Sequence, residues 1–106
     1  MFTFILLLHR KADMSAADFQ AYWHDVHGPI AAKMPGLKGY LQMHAQPGAK
    51  GDAPACDGIA QLIFDSGDAM KAAFGSNEGK AAVADLANFA DTSRVTSFPA
   101  DVRTIV

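Results

Sequence analysis

The 106-residue chain predicts an α+β domain with the order β-α-β-β-α-β. Three observations carry this. The chain opens on an almost wholly apolar run. A stretch with helical spacing and an aromatic stripe follows. Two short alternating runs then flank a Gly- and Pro-containing loop.

Met1 to His9 (MFTFILLLH) reads as a strand buried on both faces, because it holds one internal polar residue. Arg10 to Met14 connects it to a helix from about Ala16 to Lys33. Ser15 is the expected N-cap, with Asp18 three residues on in a capping-box arrangement. Phe19, Trp23, Val26 and Ile30 fall on one stripe at helical spacing. His27 and Tyr22 fall on its two borders, and His24 and Asp25 fall outside it. Pro29 is expected to kink the helix, and Met34 to Leu37 to end it. The segment from Phe19 to Tyr40 also concentrates the only Trp, both Tyr and two of the four His.

Lys38 to Gln46 is a second strand, with Leu41, Met43 and Ala45 alternating against Tyr40, Gln42, His44 and Gln46. Pro47 to Pro54 is a loop, expected to be a mobile hairpin connection. Asp57 to Phe64 is the third strand. Ser66 or Asp68 caps a short helix with Met70, Ala73 and Phe74, and Gly75 breaks it. Ser76 caps a further segment with Val83 and Leu86 on one side. Asn88 to Thr92 is a connection. Arg94 to Val106 closes the sheet, and Pro99 makes it an edge strand, a bulge or two short strands.

This order is the ferredoxin-like arrangement, one domain over 1–106 with a four-stranded antiparallel sheet. Helices cover one face of such a sheet. A first strand that is apolar on both faces requires a cover for the other face, and a second copy is the expected one, giving a homodimer through the sheet faces. Net charge is −2 and no basic stripe exists, which argues against nucleic acid as a partner. Phe2 to Leu8 is too short to span a membrane and lacks the flanks of a signal peptide, so a cytoplasmic protein is expected. Cys56 is alone, which excludes an internal disulfide and a thiolate metal cluster.

The residues Phe19, His27-Gly28-Pro29, Pro35-Gly36-Leu37 and Tyr40, followed by Asp57 to Gly79, resemble the EthD family over most of the chain. The resemblance implies a dimeric α+β barrel with a hydrophobic cleft beside the first helix. It implies a setting like the ether-degradation pathway that gave the family its name, where a member accompanies an oxygenase system. Related barrels include cofactor-free monooxygenases and isomerases. His27 matches the family's helix histidine and Tyr40 the tyrosine opening its second strand. Pro29 and Pro35-Gly36 match its structural turns.

His27 is the expected catalytic group, because imidazole titrates near neutral pH and can move a proton at a carbonyl or enol. A helix histidine bonded to main-chain carbonyls is the competing reading. Tyr40 and His44 are expected to bind or polarise a substrate oxygen, and Trp23 to supply an apolar wall. Packing is the alternative for Trp23, and contact of the strand face with a dimer partner or water is the alternative for Tyr40 and His44. His24 and His27 lack a third ligand, so no metal is expected. Asp65, Asp68, Glu78 and Asp85 read as caps and solvated faces. The expected function is cofactor-free oxidation, isomerisation or dehydration of a small hydrophobic oxygenated compound. The alternative is a non-catalytic binding or accessory protein. A heme-binding barrel is a third class, which the colour of the protein would reveal.

Overall fold

The computed structural model describes residues 2–106; the first residue of the expected opening strand lies outside them. The elements are β1 (Phe2–Leu8), α1 (Ala16–Tyr22), a π-helical turn (Trp23–His27), α2 (Gly28–Ala31), β2 (Gly39–His44), β3 (Gly58–Phe64), α3 (Gly67–Gly75), α4 (Asn77–Asp85) and β4 (Thr96–Asp101). The sheet order is β2-β3-β1-β4 with every pairing antiparallel. This is the expected α+β, ferredoxin-like sheet. β4 lies at the edge, and Pro99 sits opposite Phe4, where a missing ladder donor is tolerated.

Three serines set the helix starts. The hydroxyls of Ser15, Ser66 and Ser76 accept from the backbone N–H of Asp18, Ala69 and Gly79, each satisfying an otherwise orphan donor. Gly79 is also needed for close packing: a Cβ there would lie 2.2 Å from the carbonyl oxygen of Ala73. Gly36, at φ 77°, makes the turn out of the first helical segment.

Phe19, Trp23, Phe64, Phe89 and Leu8 are essentially inaccessible. Two expectations are corrected here. The inward stripe of the first helical segment is Phe19, Trp23, His27 and Ala31, whereas Val26 is exposed. In a regular α-helix, positions four apart drift by about 40° per step. Here the N–H of Gly28 bonds the carbonyl of Trp23, five residues back. That wider turn absorbs one residue and keeps the four-residue spacing aligned. Pro29, which has no N–H to continue the ladder, follows it directly. In the second helical region the inward stripe is Gly79, Ala82, Asp85 and Phe89. Val83 is half exposed, and Phe89, read as part of a connection, is fully buried.

On the helix-covered face of the sheet lie Leu6, Leu8, Ala60 and Leu62 with Tyr40, Gln42 and His44. The opposite face carries Leu41, Gln61, Ile5 and Phe98 in one register row and Met43, Ile59 and Leu7 in the next. Leu41, Met43 and Phe98 are 48%, 44% and 45% exposed.

Candidate active site

The widened turn puts His27 on the buried face, 6% exposed, against Phe89 at a ring separation of 4.8 Å. Its Nδ1 meets Asp85 Oδ2 at 2.8 Å. The other carboxylate oxygen accepts from the Tyr22 hydroxyl at 2.7 Å and from Asn88 Nδ2 at 2.9 Å. Asp85 is therefore not a solvated residue, as its sequence setting suggested, but the hub of a buried polar cluster. Its signal was present in the sequence: it is the one charge on the Gly79–Ala82–Phe89 stripe. Phe89 also stacks on Tyr22 at 5.2 Å, so one aromatic ring braces two of the three donors.

Burial pushes the Asp85 carboxyl up, but hydrogen bonds from Asn88, Tyr22 and His27 more than offset this and hold it below its ordinary value. Burial lowers His27, and the Asp85 carboxylate only partly restores it. The result near neutral pH is an ionised Asp85 facing a neutral imidazole. A carboxylate can only accept, so Nδ1 carries the ring proton and Nε2 presents a lone pair. Nε2 has no hydrogen-bond partner among the described residues. Neither ring nitrogen of His27 bonds to a main-chain atom among the described residues.

His27 lines a small apolar cavity of about 40 Å³. Its floor is Leu6, Leu8, Ala60 and Leu62 of the sheet. Trp23, Ala31, Met34 and Tyr40 form one side, and Phe74, Ala82, Val83 and Leu86 the other.

Tyr40 reaches this cavity from β2. Burial raises its pKa, so it remains a phenol. Gln42 Nε2 donates to the Tyr40 oxygen and to the carbonyl of Trp23, both at 2.9 Å. The carbonyl can only accept, which fixes the amide orientation. The phenolic hydrogen of Tyr40 is thereby left to donate elsewhere. Gln42 Oε1 in turn accepts from His44 Nε2 at 2.8 Å.

Of the four residues singled out from sequence, His27, Trp23 and Tyr40 line this one cavity. His44 does not. Its ring lies against Trp23, centroids 4.5 Å apart, and borders an outer cleft with His24, Pro29 and Tyr40. Burial lowers its pKa, and His24 lowers it further. His24 itself is exposed and paired to Asp25 at 2.7 Å, so it does not converge with His27. Among the described residues no group of three His, Cys, Asp or Glu side chains could hold a metal ion, and no helix is long and apolar enough to cross a membrane.

Known proteins share both sequence and fold with this chain. An uncharacterized 11.0 kDa protein in the thcB-thcC intergenic region of Rhodococcus erythropolis is 30% identical over 106 residues, covering 100% of this chain and 99% of its own. The crystal structure of an ethyl tert-butyl ether degradation (EthD) family protein from Bacillus halodurans superposes with a TM-score of 0.80 at 20% identity, over 97% of this chain and 100% of that one. SnoaB, a cofactor-independent oxygenase from Streptomyces nogalater, superposes with a TM-score of 0.69 at 11% identity, over 99% of this chain and 95% of its own. The EthD domain matches residues 11–93, a span that contains His27, Tyr40 and Asp85, and the chain belongs to the EthD family.

Proposed function

We propose that this EthD-family protein binds a small hydrophobic oxygenated organic compound in the cavity and that His27 transfers a proton to or from it. The single observation that carries this reading is the polarised imidazole: Nδ1 is held by Asp85 at 2.8 Å while Nε2 has no partner among the described residues and His27 lines an apolar cavity. A carboxylate behind the ring fixes its tautomer and stabilises the imidazolium that forms on proton uptake. Tyr40 polarises the ligand oxygen and Trp23 walls the chamber. His44 acts through Gln42 on Tyr40. The step is common to isomerisation, dehydration and cofactor-free oxidation. A cofactor-independent oxygenase of the same fold supports the scaffold's capacity for the last of these.

The test is exchange of the α-protons of cyclohexanone in D₂O, followed by NMR. His27→Ala should slow protein-catalysed exchange at least about a hundredfold. Unchanged exchange in a folded variant would remove His27 from the chemistry and favour a non-catalytic binding protein.

The protein also works as a two-fold dimer through the open sheet face. Leu41, Met43 and Phe98 there are each more than two-fifths exposed beside Ile5, Leu7 and Ile59. A contiguous apolar face of this kind is rarely left to water.

A further inference from the structure

Trp23 is fully buried, and its indole N–H is the one buried side-chain polar atom without a hydrogen-bond partner among the described residues. Leaving such a donor unpaired costs roughly 1–3 kcal/mol, so native chains seldom do it without a reason. The setting supplies one. Trp23 lines the chamber together with Tyr40 and His27. The Tyr40 oxygen is already occupied as an acceptor by Gln42, which leaves the phenolic hydrogen as a second free donor beside the indole. The position is fixed from behind. Gln42 holds the Trp23 carbonyl, and Gly58 leaves room for the indole, since a Cβ there would lie 2.3 Å from the ring.

We propose that Trp23 Nε1–H and Tyr40 O–H together form a two-donor site for one carbonyl oxygen, and that the ligand is an enolisable carbonyl compound. This rests on the reading of His27 as the base. His27 Nε2 takes a proton from the carbon next to the carbonyl. The C–H electron pair becomes the new C=C bond, and the carbonyl π pair moves onto oxygen. The negative charge then sits where the two donors point, so their bonds strengthen as the enolate forms. Return of the proton, to the same carbon or to the far end of a conjugated system, closes the cycle without oxidant or reductant. Trp23 is in this account more than an apolar wall.

Because the chain has a single Trp, ¹⁵N-labelled protein gives one indole N–H signal that needs no assignment. Cyclohexanone should move that proton downfield, and cyclohexane, of similar shape without the oxygen, should not. Trp23→Phe should weaken cyclohexanone binding about tenfold, the loss of one hydrogen bond, and leave cyclohexane binding nearly unchanged. An indole signal unmoved by either probe, or moved equally by both, overturns the proposal; a buried water holding the N–H would give the former. Should Trp23→Phe fail to fold, the wild-type signal decides alone. A selective shift combined with unchanged exchange in His27→Ala would keep the oxygen site and discard the base. The reverse pair of results would keep the base and discard the site.

Discussion

Replacing Asp85 by Asn tests the arrangement at its least obvious point. The carboxylate accepts three bonds: Tyr22 O–H and Asn88 N–H on one oxygen, His27 N–H on the other. An amide offers one acceptor oxygen and one donor NH₂. If its oxygen stays with Tyr22 and Asn88, the NH₂ faces His27 Nδ1. The imidazole must then accept at Nδ1, and its proton moves to Nε2. The Nε2 lone pair disappears, although the shape is almost unchanged. All three bonds persist but lose their charged acceptor, which costs about 1–3 kcal/mol, equivalent to a fall in Tm of roughly 4–14 °C for a chain of this size. The assay is the ¹⁵N chemical shift of the His27 ring. Nδ1 should be the protonated nitrogen in the wild type and Nε2 in Asp85→Asn, with the His27 pKa driven lower still because the raising effect of the carboxylate is gone. Catalysed exchange should fall by about 10²–10⁴. A wild type protonated at Nε2, or a variant that keeps tautomer, pKa and activity, would refute the reasoning.

Three further outcomes follow from the same geometry. Because burial holds the folded-state pKa of His27 below its ordinary 6.5, the unfolded chain takes up that proton first. Its contribution to stability is complete above pH 6.5 and lost as the pH falls through the depressed folded value, with Asp85 adding a further loss at lower pH. Denaturation at a series of pH values should show that slope, and a Tm flat between pH 7 and 5 would contradict it. Gly58→Ala forces a Cβ against the Trp23 ring and should destabilise by about 1–3 kcal/mol while changing the emission of the single Trp; an unaltered spectrum and stability would show that the ring is not held there. Leu41→Glu places a charge on the open sheet face and should turn a dimer into a monomer by analytical ultracentrifugation, whereas a monomeric wild type would end the dimer proposal.

The sheet and its helices were legible because they rest on local signals: an apolar opening run, alternation in Tyr40 to His44, and serine caps at 15, 66 and 76. The candidate site was only half legible. Tyr40 and His27 were marked by residue type and position, but a regular 3.6-residue period placed Val26 inside and His27 at the border. The five-residue turn ahead of Pro29 reverses that, and periodicity assumes no such turn. Asp85 was missed because its burial is paid for by His27 and Tyr22, 58 and 63 residues away. No local window contains those partners. An isolated Asp in an Ala-rich helix ordinarily points to water, and only its place on the stripe with Ala82 and Phe89 distinguishes it.

The chamber itself is tested most directly by a crystal structure of the protein with cyclohexanone bound. The ketone should lie against Trp23 and Tyr40, with its α-carbon about 3–3.5 Å from His27 Nε2, the near-attack range. A ketone seated outside the chamber, or a His27 Nε2 capped by a protein group, would contradict it.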